Sequence, residues 1–104
     1  MPSNTAQILS HIPNSAIVQL PDRRFPGIVM QGDTLSNLFD SAKFLLAEFK
    51  RLRDEEGYYG TLMFAEQMQA QLVHYEETLQ AQGIQLPYTV SVKDRRVSDD
   101  FSAA

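Results

Sequence analysis

Between Leu35 and Leu52 the apolar residues Leu35, Leu38, Phe39, Ala42, Leu45, Leu46, Phe49 and Leu52 recur at spacings of three and four. That period specifies an amphipathic helix of about five turns. A stripe this long demands an apolar surface to lie against. Asp33 or Thr34 is placed to cap its start, and Gly57 ends the pattern. The acids Asp54, Glu55 and Glu56 would then close this helix where its dipole favours cations, a conflict that Lys50 and Arg51 offset in part.

A second helix is expected after the connection Gly57-Tyr58-Tyr59-Gly60, with Thr61 as its cap and Ala65, Met68, Leu72, Tyr75 and Leu79 as its stripe. Gly83 followed by Ile84 reads as a left-handed cap, and Pro87 prevents the helix from resuming. Two strands precede the helices. Ser15 to Leu20 is a β-branched run closed by Pro21-Asp22, and Phe25 to Gln31 is a second apolar run across a short hairpin connection. Pro26 lacks an amide donor and so belongs on an edge. Tyr88 to Lys93 alternates apolar and polar residues, which predicts a third strand.

These elements predict an α+β fold of ββααβ order, a small antiparallel sheet with a two-helix hairpin packed on one face. At 104 residues the chain is one domain. Its ordered core is expected over about residues 15–93, with 1–14 and 94–104 as mobile tails; Ala6–Ile12 could form at most one turn of helix. A thin core with an open sheet edge makes a homodimer one way to cover that edge.

Composition narrows the function. The chain is 43% hydrophobic and 21% charged, the balance of a globular protein. It has no cysteine, which removes disulfides, thiolate metal sites and thiol nucleophiles. No secretory leader or membrane span is visible, so a cytoplasmic protein is expected. A net charge of −4 argues against nucleic acid as the main partner.

No catalytic, cofactor or metal residues are assigned. The turn Gly32-Asp33-Thr34 has a single glycine and an acid beside it, which suits a helix start better than an anion cradle. His11 and His74 have no ligand partner at helical spacing. The candidates for partner binding are Arg23 and Arg24 at the hairpin tip, Phe44 on the far side of the first helix's stripe, and Tyr58 and Tyr59 in the Gly-flanked turn. One tyrosine ring is expected to pack on the helices and leave the other free.

The stretch Pro26-Gly27, Gln31-Gly32-Asp33-Thr34-Leu35 and Ala42-Lys43 resembles the core signature of HicB-type antitoxins. In that family a Pro-Gly strand, usually preceded by a hairpin, leads through a Gly-Asp-Thr turn into a helix. The resemblance implies a small αβ domain that binds and blocks a toxin protein, and makes the turn architectural. The whole chain is also similar to small bacterial proteins grouped as domains of unknown function. The expected function is therefore a non-enzymatic, antitoxin- or immunity-like protein-binding domain. The alternatives are a small-molecule-binding or enzymatic domain with a cleft between sheet and helices, and a nucleic-acid-associated regulator.

Overall fold

The structure, a computed structural model, describes residues 4–102. Strands β1 (Gln7–Ser10), β2 (Ala16–Gln19) and β3 (Gly27–Val29) form one antiparallel sheet in that order. Helices α1 (Gly32–Arg51) and α2 (Glu55–Ala81) follow, and the C-terminal segment contains one 3-10 turn at Val92–Asp94. The α+β class, the antiparallel sheet and the helical hairpin are present, but the order is βββαα.

Two departures account for the change. β1 falls in the segment expected to be an N-terminal tail. It is joined to β2 by a tight turn in which Ser15 N–H donates to Ile12 C=O at 2.9 Å and Asn14 has φ 62°. Pro13 at the second position and a left-handed Asn at the third are the chemistry of a type II turn. Conversely, Tyr88–Lys93 is not a strand. Its Val92 N–H donates at 2.8 Å to the carboxylate of Glu76 on α2, so the backbone group a strand would pair is taken by a side chain.

The helices also start elsewhere than expected. Gln31, with extended backbone and no capping side-chain bond, is the residue before α1; Asp33 accepts only from its neighbour Thr34 N–H, at 2.9 Å. Neither Asp33 nor Thr34 is the cap. Gly32 is buried against the Tyr75 ring, where a Cβ would overlap the ring carbons. Gly57 lies inside α2 rather than in a connection, and a Cβ there would stand 2.5 Å from the Phe49 ring. Both glycines let the two helices approach closely.

The corner between the helices is Leu52-Arg53-Asp54. Asp54 N–H donates to Phe49 C=O at 2.9 Å and Arg53 N–H to Lys50 C=O at 3.1 Å, a Schellman pair with Arg53 in the left-handed region at φ 60°. Asp54 then caps α2 by accepting from Gly57 N–H at 2.9 Å. The acids Asp54, Glu55 and Glu56 thus open a helix, where the dipole stabilises them, and the expected conflict disappears. At the other end of α2, Gly83 (φ +69°) and Ile84 form the expected Schellman cap, with Ile84 N–H donating to Leu79 C=O at 2.9 Å.

The core lies between the helices and under the C-terminal segment. Phe39, Ala42 and Leu46 of α1 meet Tyr58, Leu62, Ala65 and Leu72 of α2, with Val92 fully buried among them. Val92 comes from the expected third strand, and from the segment expected as a C-terminal tail Val97 and Phe101 pack, partly buried, against this core. By contrast, no residue of 4–31 is buried. The helices pack on each other and leave the sheet uncovered. The radius of gyration is 16.6 Å, against about 13 Å for a compact domain of this length.

Candidate interaction surfaces

Glu76 organises one side of the hairpin. It is 7% exposed, and its carboxylate accepts from Tyr88 O–H at 2.8 Å, Ser91 O–H at 2.6 Å and Val92 N–H at 2.8 Å. Burial by itself pushes its pKa up. The three hydrogen bonds and the Arg95 charge outweigh that and hold it below the usual carboxylate range. Burial, and then the bond to Glu76, push the Tyr88 phenol well above its ordinary value. A carboxylate held ionised and surrounded by donors from its own chain is a fastener, and a poor proton donor at neutral pH.

Three further bonds run from the C-terminal segment to both helices. Arg95 donates to Asp40 at 2.8 Å, Val97 N–H donates to Gln69 at 2.8 Å, and Tyr58 O–H donates to Ser98 C=O at 2.7 Å. The Arg95 guanidinium lies 5.2 Å from the Tyr88 ring centre and 5.6 Å from that of Phe39, and its Nε and Nη2 are buried without an oxygen partner. The ring faces supply part of what those donors lack. Residues 88–101 therefore form a strap along one flank of the hairpin.

The sequence-derived candidates scatter. Tyr58 is 4% exposed and belongs to the core, so it is not a contact surface; burial, then Tyr59, Asp100 and Asp99, raise its pKa. Tyr59 is the free ring of the pair, 42% exposed, edge-on to Tyr58 at 5.3 Å and tilted on Phe101 at 6.2 Å. Phe44 is 64% exposed on the outer side of α1. Arg23 and Arg24 are exposed in the β2–β3 connection, with Arg24 over the Phe25 ring at 5.3 Å. The sheet and Tyr59 lie at opposite ends of α1, about 30 Å apart along a 20-residue helix. The five residues do not make one site.

What sequence reasoning missed is the sheet surface. Cross-strand partners Ile8 and Val18, and Ala16 and Val29, share one face by the antiparallel register. All four are apolar. The other face carries Gln7, Ile17, Gln19 and Ile28, and Ile28 turns toward the helices, lining a groove of about 470 Å³ with Met30, Leu35, Gln71, His74 and Tyr75. The wholly apolar face is thus the one pointing away from the helices. Ile8 is 65% and Val29 45% exposed there. Each run alternates too briefly for its outer face to be read from sequence without the pairing.

Among the described residues no three His, Cys, Asp or Glu side chains gather as a metal would need, and no helix is long and apolar enough to cross a membrane. Neither a curated protein nor a solved structure matches the chain. A family model described as a family of unknown function matches residues 1–88, which include the sheet, both helices and Tyr88 of the strap. The chain belongs to this family, DUF6959.

Proposed function

We propose that the protein is a non-enzymatic, cytoplasmic binding module that docks a partner protein on the outer face of its sheet, in the manner of an antitoxin or immunity protein. The observation that carries this is the apolar outer face on which exposed Ile8 and Val29 flank half-buried Ala16 and Val18. A three-stranded sheet normally buries one face to be stable. Here its apolar side is presented outward, with Arg23 and Arg24 at its rim to meet acidic groups. A dry centre with a charged edge is the anatomy of a protein interface. The β1–β2 hairpin before the Pro-Gly strand adds to the resemblance to HicB-type antitoxins, which also have one there. The second long helix is an addition to that pattern.

Affinity capture from the source cells with the full chain tests this directly. One defined protein should be retained in stoichiometric amount by the native chain and lost from the Val29→Glu variant. Retention unchanged by Val29→Glu, or no retained protein, contradicts it.

A further inference from the structure

We propose that the crevice between α1 and the strap is a binding site for a small phosphate monoester, held by Lys43, Lys50 and Arg96. The two lysines are seven residues apart on α1, two turns along one side of the helix, with Ala47 between them. Alanine there keeps the space between the lysine stems open. Arg96 comes from the strap, and all three cations line one cavity of about 140 Å³ whose apolar lining is Leu46, Ala47 and Val97. Tyr58 and Ser98 also border it, and Tyr58 O–H is already spent on Ser98 C=O at 2.7 Å.

The chain leaves these cations without a counterion. Lys43 and Lys50 are half-buried, an unusual place for a lysine with no acid bound to it. Among the described residues neither they nor Arg96 forms an ion pair. The acids nearest in sequence are engaged elsewhere. Asp40, one turn before Lys43, is bound by Arg95; Glu48 is bound by Arg51; Asp54, one turn after Lys50, caps α2. Asp99 and Asp100 act on Tyr58 from the strap but do not line the cavity, and Asp100 accepts from Ser102 N–H and O–H. Three cations and no acid around one concavity, in a chain of net charge −4, make a local field that selects an anion.

Size and charge narrow the class. A cavity of about 140 Å³ is below the roughly 300 Å³ at which pockets for drug-sized molecules begin, so it takes one charged group with a small body. A carboxylate would leave two of the cations unmatched, whereas a phosphate brings a charge of about −1.5 to −2 and three acceptor oxygens. The planar fork of Arg96 suits two of those oxygens, and the lysines act as point charges. Leu46, Val97 and the Tyr58 ring offer apolar contact to the carbon body of an ester. The site lies on the helical hairpin rather than the sheet, so this inference does not rest on the proposed function.

Titration of the isotope-labelled full chain with phenyl phosphate at neutral pH and low ionic strength, followed by amide NMR, tests it. Saturable shifts are expected at the Ala47, Val97 and Ser98 amides. Phenol, which lacks the anion, should cause none, and inorganic phosphate should bind at the same amides more weakly because it has no body to lie on the apolar lining. Lys43→Gln and Arg96→Gln should each weaken phenyl phosphate binding about tenfold, and Ile8→Glu on the sheet should leave it unchanged. The absence of saturable shifts, equal shifts with phenol, or equal affinity for inorganic phosphate overturns the proposal. So does unchanged affinity in either glutamine variant. Should Lys43→Gln lose its fold, Arg96→Gln decides alone, since Arg96 is exposed and lies outside the core.

Discussion

The helical half and the sheet half of this chain use similar apolar residues to opposite ends. From α1 onward, Phe39, Leu46, Tyr58, Leu62, Leu72 and Val92 are buried together, and the strap that seals them is fastened to both helices. Before α1, Ile8, Leu9, Ile12, Phe25, Ile28 and Val29 remain exposed. The difference lies in what each element meets. Gly32 and Gly57 bring the two helices into close contact, and Glu76 pulls the C-terminal segment over them. The sheet has only its own strands to pair with. The helical half closes a core within the chain, whereas the sheet half leaves its large apolar side chains exposed.

Substitutions of similar size should separate the halves sharply. Leu72→Ala, at 0% exposure, should lower the unfolding free energy by about 3–5 kcal/mol. Ile8→Ala in the free protein should change it by no more than about 0.5 kcal/mol. Urea denaturation reads both, and equal losses would erase the distinction.

Glu76→Ala comes next. It strands the Tyr88, Ser91 and Val92 donors, and at about 1.5–3 kcal/mol for a bond to a charged group the loss should reach about 3 kcal/mol. The same residue sets a pH dependence. Its folded pKa is depressed, so its stabilisation is complete above the ordinary value of 4.5 and is lost as pH falls from there through the folded value. Across that window the native chain should lose stability more steeply than Glu76→Gln. Parallel profiles in urea melts would show that the carboxylate does not fasten the strap.

The smallest effect runs the other way. Arg53 holds a left-handed conformation at φ 60°, so Arg53→Gly should raise stability by about 1 kcal/mol in thermal or urea unfolding. A loss would mean that the Arg53 side chain contributes contacts that outweigh the strain.

Legibility followed the range of the interaction. The α1 stripe, the β2–β3 hairpin and the Gly83-Ile84 cap depend on neighbours within a few residues, and each was readable. The Pro13-Asn14 turn is equally local, but its flanking run Gln7–Ser10 is too short and polar to announce a strand by itself, and the segment was expected as a tail. Asp54, taken as the end of one helix, is the start of the next because Arg53 accepts a conformation usually left to glycine. Leu38, Leu45 and Leu52 satisfied the core period and are exposed, since periodicity marks an apolar sector without saying what covers it. Glu76 and Arg95 could not be paired from sequence, because each meets groups more than a dozen residues away.

Amide hydrogen exchange on the free protein compares the two halves most directly. Amides in the middle of α1 and α2, and the strap amides of Val92 and Val97, should exchange slowly as one cooperative unit. Those pairing β1, β2 and β3 should exchange orders of magnitude faster and slow only when a partner is bound. Sheet amides as slow as those of the helices in the free chain would contradict the division into a completed half and an open one.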